Sequence, residues 1–178
     1  MARRIFVTEY DPSWPSRFEA ERQELQSVFA PILLSVHHIG STSVPGLVAK
    51  PTIDILVVVR SISDVLDYDS EMIDLGYRPR GECLDAGGTA GRFYYCKEID
   101  GVRSHHVHVC PSGHWQIAEL LAFPAYLRAH PVEARAYGEL KQAALLDGGS
   151  DNSNYMAVKA AWLRPKIDAA LRESSETE

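Results

Sequence analysis

Cysteine is scarce in this sequence of 178 residues. Its three cysteines, Cys83, Cys96 and Cys110, are odd in number, and no two of them form a CxxC pair. This spacing argues against a disulfide framework and against a structural zinc site. We therefore expect thiols that are buried or idle, and a reducing, cytoplasmic compartment.

Long apolar runs and excess positive charge are also lacking. No stretch reaches the roughly 18 apolar residues of a membrane span, and no apolar stretch of the secretory type follows the early arginines. The formal net charge is −6, whereas broad binding to duplex nucleic acid requires a basic face. We expect neither a membrane nor duplex nucleic acid as a partner. A local basic pocket stays open, because net charge does not say where the charges lie.

Strand-like patterns mark three parts of the chain. The run TIDILVVV (52–59) is almost unbroken in apolar residues, which predicts a central strand covered on both faces. RFYYCKEI and SHHVHVC flank Asp100-Gly101, a strong signal for a hairpin. SVHHIG predicts another strand, which ends on Gly40.

Helical spacing of apolar residues occurs near the N-terminus, at 63–75, and in three C-terminal segments at about 115–123, 131–146 and 154–171. Together the patterns predict an α+β fold, in which a mixed β-sheet is flanked by helices and followed by a C-terminal helical part. We expect a single domain of residues 1–172 and a charged, disordered tail of residues 173–178.

The loop Gly40-Ser41-Thr42-Ser43 follows a strand and offers three hydroxyls. Its glycine allows close approach of the backbone, and its donors can converge on an anion, as in a phosphate cradle. The GxxxxGK[ST] pattern of a P-loop is absent. Lys50 precedes the next strand, where its ammonium can reach the mouth of the same site.

Asp54 stands out within the apolar strand TIDILVVV. Burying an unpaired carboxylate costs several kcal/mol, so Asp54 must be paired, hydrogen-bonded or bound to a metal. Because the glycine-serine loop is nearby in the sequence, we favour a role for Asp54 in binding a metal or a polar substrate over a purely structural role.

SHHVHVC places His106 and His108 on one face of a strand, because side chains alternate with period two. His105 points the other way, and we expect it to be exposed. If this strand neighbours that of Asp54, the three groups converge into a ligand set that suits zinc, iron, nickel or manganese better than magnesium. The alternative is that the histidines are half-buried and hydrogen-bonded to neighbours.

Other residues can complete a site for an anion. Arg103 lies beside the histidine strand, and Tyr155 and Lys159 share a helix face at i and i+4. Helical spacing also predicts five aromatic residues in the core: Trp115, Phe123, Tyr126, Tyr137 and Trp162.

Several segments resemble a known family. Gly40-Ser41 followed by a strand aspartate looks like the hG[GS]…[DE]h[DE]h signature of the polymerase-β-type nucleotidyltransferase fold. HIGSTSVPGLVAKPTIDILV is more closely similar to the hallmark of the GrpB-like family, a branch of that superfamily. YDPSWPSRFEAE, RSHHVHVC, FPAYLRAHPVEARAYGELK and YMAVKAAW extend the resemblance over most of the chain.

The resemblance implies a nucleotidyltransferase-like fold. It further implies that the helix face carrying Tyr155 and Lys159 lies toward the site. It also suggests a link to coenzyme A biosynthesis, because some members are fused to dephospho-CoA kinase domains. The superfamily holds two magnesium ions with paired strand carboxylates. Here Thr52 and Leu56 stand two residues from Asp54, so standard two-metal nucleotidyl transfer is not predicted.

These observations lead to three hypotheses. The first is a nucleotidyltransferase-fold protein that binds a nucleotide or phosphorylated small molecule with metal help, and that transfers a nucleotidyl or phosphoryl group if it is an enzyme. Gly40, Ser41, Thr42, Ser43, Lys50, Arg103, Tyr155 and Lys159 would hold the ligand; Asp54, His106 and His108 would bind the metal and carry the chemistry. The second is an inactive nucleotide-binding accessory module, and the third is a metal-dependent phosphoester hydrolase that uses the histidine pair.

Overall fold

A five-stranded mixed β-sheet forms the centre of the protein, with strand order β1-β2-β5-β4-β3. The structure is a computed structural model that describes residues 6–84, 88–148 and 152–176. The strands are β1 (Leu33–Ile39), β2 (Ile53–Val59), β3 (Tyr77–Pro79), β4 (Phe93–Ile99) and β5 (Val102–Pro111). The α-helices are α1 (Trp14–Phe29), α2 (Asp69–Asp74), α3 (Gln116–Ala129), α4 (Pro131–Gly148) and α5 (Asn152–Glu176).

Strands β2 and β5 lie inside the sheet and run parallel to each other, while the other neighbouring pairs are antiparallel. Their register places Asp54 opposite His106 and Leu56 opposite His108. Because side chains alternate along a strand, these four residues share one face of the sheet. The apolar run of β2 is the pattern of a strand covered on both faces.

The opposite face of the sheet carries the main hydrophobic core. Ile53, Ile55 and Val57 are fully buried there with Trp14 and Leu25 of α1. Burying a large apolar side chain stabilises a fold by about 1.5–3 kcal/mol. This core therefore fixes β2, and with it the position of Asp54 on the other face.

The three C-terminal helices pack on one another beside the face that carries Asp54. Ile39 and Leu56 of the sheet contact side chains of α3. Tyr137 of α4 stacks on Trp162 of α5 with ring centroids 4.8 Å apart. None of the helices in the described ranges combines the length and apolar character that a membrane span requires.

The predicted α+β fold, with a mixed sheet flanked by helices and a C-terminal helical part, is confirmed. The hairpin at Asp100-Gly101 is present, since β4 pairs antiparallel with β5. Helix α3 extends beyond the predicted end at Phe123 and continues through Pro124 to Ala129.

Two side chains differ from the sequence expectation. His105 is buried, not exposed, because α1 covers its face of the sheet and Glu21 lies 3.8 Å from its ring. Trp115 is 60% exposed and does not join the core, because it precedes α3 and stacks on His114 instead. The other four predicted core aromatics pack in one cluster.

Helix α5 continues into the segment 173–178 that was expected to be a disordered tail. It reaches Glu176, and Ser174 donates a hydrogen bond to the carbonyl of Leu171 within its last turns. Residues 177–178 lie outside the described residues.

Candidate functional site

A cavity of about 410 Å³ opens on the face of the sheet that carries Asp54, beneath α4 and α5. Its wall combines residues from the loop after β1, from β2 and β5, and from both helices. The lining residues are Ser41, Thr42, Lys50, Thr52, Asp54, Arg103, His106, His108, Lys141, Tyr155, Met156 and Lys159. Four of them are lysine or arginine and one is a carboxylate, so basic side chains outnumber acidic ones in the wall.

Asp54 and His106 form a direct pair on the cavity wall. His106 Nδ1 lies 3.0 Å from Asp54 Oδ1, and the side chains are 19% and 30% exposed. Burial acts to raise the pKa of the Asp54 carboxyl, but the hydrogen bond with His106 and nearby positive charge, including Lys159, hold that pKa below its ordinary value. The partner that Asp54 requires is therefore His106.

This contact also assigns the tautomer of His106. When the carboxylate accepts the Nδ1 proton, Nε2 of the neutral ring is left as an acceptor. Nε2 lies 3.5 Å from Nη1 of Arg103, which also donates to the Tyr94 hydroxyl at 2.8 Å. The arrangement is an imidazole ring oriented by a carboxylate.

His108 stays neutral at the floor of the site. Burial lowers its pKa to about 4, although the charge of Asp54 acts to raise it. Its ring stacks on Tyr94, with centroids 5.3 Å apart. Its Nδ1 atom is buried and has no hydrogen-bond partner within the described part of the chain.

The glycine-serine loop adopts a 3₁₀ turn over Ser41–Ser43. Only part of its predicted cradle faces the cavity. Ser41 lines the wall, whereas the Ser43 hydroxyl donates to the Gly40 carbonyl at 2.7 Å and serves the turn itself. Thr42 is buried, and its Oγ1 lies 3.0 Å from Nε2 of His38. This contact connects the loop to β1, which carries His38.

Lys141 is the main functional residue that the sequence reasoning missed. It lies on α4 with only 2% of its surface exposed, and its Nζ donates to Ser41 Oγ at 3.2 Å and to the carbonyl of Val48. The ammonium also stands 4.4 Å from the centroid of the Tyr137 ring. Burial, aided by the charge of Lys159, lowers the pKa of Lys141 to about 7.

A sequence signal for Lys141 did exist. It is the last residue of FPAYLRAHPVEARAYGELK, and it stands one helical turn after Tyr137 on the same face. A lysine in line with buried aromatic residues of an amphipathic helix is a candidate for a buried role.

The residues predicted to bind a metal are partly engaged with each other. In the described ranges, no three His, Cys, Asp or Glu side chains lie close enough to share a metal ion. Asp54 Oδ1 and His106 Nδ1 are hydrogen-bonded to each other at 3.0 Å. Two magnesium ions also do not fit, since Asp54 is the single carboxylate among the described lining residues. A transition metal at Asp54, His106 and His108 stays a prediction.

Most predicted site residues thus meet in one cavity. The exceptions are Ser43, which is used by its own turn, and Gly40, which lines a smaller adjoining cavity.

The chain matches a known protein family over most of its length. The family described as "GrpB protein" matches residues 4–168. The chain belongs to the GrpB family. The UPF0157 protein YqkA of Bacillus subtilis is 38% identical over 170 residues, which cover 96% of this chain and 48% of YqkA.

The crystal structure of the conserved protein GrpB from Enterococcus faecalis matches with a TM-score of 0.88 and 38% identity, covering 95% of this chain and 99% of that chain. A dephospho-CoA kinase of Mycolicibacterium paratuberculosis is 28% identical over 176 residues, which cover 86% of this chain and 43% of the kinase. The chain spans about half the length of YqkA and of the kinase.

Gly40 is the residue whose replacement tests the contact between the loop and Asp54. Its φ of 69° and ψ of −172° lie in a region used almost only by glycine, and an added Cβ would stand 2.5 Å from Asp54 Oδ2. We expect Gly40→Ala to lower the free energy of unfolding by about 3 kcal/mol or more, measured by urea denaturation.

Gly46→Ala is the matched control. Gly46 also has a positive φ, of 77°, but no atom lies within 4 Å of an added Cβ. It should cost about 1–2 kcal/mol, the backbone strain alone. Equal losses of unfolding free energy in the two variants would show that the close approach of Gly40 to Asp54 does not affect stability.

Proposed function

We propose that this protein binds a nucleotide or another phosphorylated small molecule in the cavity between the sheet and its C-terminal helices. The observation that carries the proposal is the charge of the wall. Lys141 and Lys159 line it close to each other, and the carboxylate in the wall, Asp54, already has His106 as its partner. Lys50 also lines the wall, as does Arg103, which is paired with Glu98 at 3.3 Å. A phosphate group would place a negative charge beside Lys141 and Lys159.

The proposed phosphate position lies between the glycine-serine loop and helices α4 and α5. Lys141 Nζ already contacts Ser41 Oγ, and Lys159 is close enough to Lys141 to lower its pKa. An anion beside these groups would offset their mutual repulsion and the cost of burying Lys141. Ser41, Lys141 and Lys159 therefore form the proposed phosphate site.

The likeness to a dephospho-CoA kinase favours one particular test compound. Dephospho-CoA carries a diphosphate joined to a nucleoside, and a role near coenzyme A biosynthesis would bring it to this site. The three free thiols are in keeping with a reducing, cytoplasmic compartment, which is part of the proposal.

Binding of phosphate compounds is the first prediction. ATP, UTP, pyrophosphate and dephospho-CoA should be compared by isothermal titration calorimetry, and at least one should bind and raise the melting temperature. Binding should persist in EDTA, since cationic side chains and not magnesium carry it. Metal dependence would instead support the metal-assisted form of the hypothesis.

Lys159→Met should weaken this binding about tenfold or more, the effect of one lost charge-assisted contact. Arg78→Met is the control, because it removes one positive charge from the exposed edge strand β3, away from the cavity. Equal weakening in both variants would mean that only overall charge matters, and the proposal would be wrong.

Because the pKa of Lys141 is lowered, we expect the affinity of the site for an anion to depend on pH. With a pKa of about 7, it loses its charge as the pH rises through neutrality, so affinity for an anion should fall by up to about tenfold per pH unit above that point. Sulfate is the appropriate probe, because it stays a dianion throughout. Lys141→Met should remove this dependence, and an unchanged slope in the variant would exclude Lys141 from the site.

A second candidate function is supported by the Asp54–His106 pair. His106 Nε2 would act as a general base oriented by Asp54 once Arg103 Nη1, 3.5 Å away, moves from it toward the bound phosphate; such an arrangement activates a water or hydroxyl nucleophile. Such a site would hydrolyse or transfer the phosphoryl group that the cationic wall holds.

Product formation from the bound compound, followed by ³¹P NMR, tests this candidate. His106→Gln should keep binding within a few-fold while turnover falls about 100-fold or more, the usual effect of losing a general base. If wild-type protein binds the compound without turnover, the accessory-module hypothesis is favoured over an enzyme.

A further inference from the structure

A second, smaller cavity of about 260 Å³ adjoins the cationic one. Its far side is formed by Leu120, Phe123 and Pro124 of α3 with Leu163 and Ile167 of α5. We call this space the apolar annex. It differs in residue type from the first cavity, most of whose lining residues are charged or carry a hydroxyl group.

The two cavities meet along a shared wall. Ser41, Asp54, His108 and Lys159 line both of them. A substituent attached to a phosphate between Ser41 and Lys159 can therefore extend directly into the annex. The ring of His108 at this junction is uncharged, since its pKa is lowered by burial to about 4, so it accepts an apolar neighbour.

Charge inside the annex is already neutralised. Glu119 is the acidic side chain there besides the shared Asp54, and Arg164 Nη1 lies 2.8 Å from its Oε1. Leu120, Phe123 and Leu163 are only partly buried, although they pack against core clusters. Apart from Lys159 and Asp54 on the wall shared with the first cavity, the annex thus offers exposed apolar surface without an uncompensated charge.

Size decides what the annex can hold. Sites for complete small-molecule ligands measure about 300–1,000 Å³, so this space fits one group of a ligand that also fills the cationic cavity. We propose that the natural ligand is a phosphate ester whose uncharged, apolar group occupies the apolar annex. This inference rests on the proposed function, and it adds the chemical class of the part attached to the phosphate.

A series of phosphate monoesters tests the annex. Inorganic phosphate, methyl, ethyl, butyl, hexyl and phenyl phosphate should be titrated by calorimetry at one pH. We expect the Kd to fall about fourfold for each added methylene, the ratio that corresponds to about 0.8 kcal/mol per buried CH₂. The gain should end once the chain fills the annex.

Two variants locate the effect. Leu120→Trp fills the annex, so it should abolish the gain with chain length and leave the affinity for inorganic phosphate unchanged. Leu163→Ala enlarges the annex and should move the end of the gain to a longer chain. Both variants are checked for folding by their retained phosphate binding.

The outcomes separate this inference from the one on which it rests. If no phosphate compound binds wild-type protein, the proposed function fails. If phosphate binds but the Kd is the same along the series, or if Leu120→Trp keeps the full gain, the annex holds no part of the ligand and this inference is overturned.

Discussion

The contact between Asp54 and His106 is the constraint on which the site depends. A carboxylate within a buried strand requires a partner, and the parallel register of β2 and β5 places His106 directly beside it. The same carboxylate sets the path of the preceding loop, because Gly40 approaches it too closely for any side chain. Ser41 is thereby brought to the cavity wall, opposite the C-terminal helices.

The protein as a whole is acidic, with a formal net charge of −6, yet its cavity gathers cations. Keeping Lys141 almost fully buried beside Lys159 works against the folded state, as its lowered pKa records. Strongly shifted pKa values cluster at functional sites. The proposed phosphate would reduce this cost, because its negative charge would lie beside Lys141 and Lys159.

Much of this arrangement follows from local patterns in the chain. The period-two spacing of His106 and His108 predicts that they share one face of a strand, and that this face also carries Asp54 if the two strands are neighbours. The structure shows that the strands are neighbours. The burial of His105 could not be predicted, because it depends on which helix covers the other face of the sheet. The position of Lys141 one turn after Tyr137 was a local signal for burial, but its contact with Ser41 could not be predicted, because it forms only when α4 packs against a loop far away in sequence.

A crystal structure with tungstate, an electron-dense analogue of phosphate, is the most direct test of the central claim. Its anomalous signal reports the anion position without reference to any assumed substrate. We predict one dominant peak in contact with Ser41 Oγ and the ammonium groups of Lys141 and Lys159. A well-ordered cavity without such a peak, with tungstate bound elsewhere on the protein, would contradict the account.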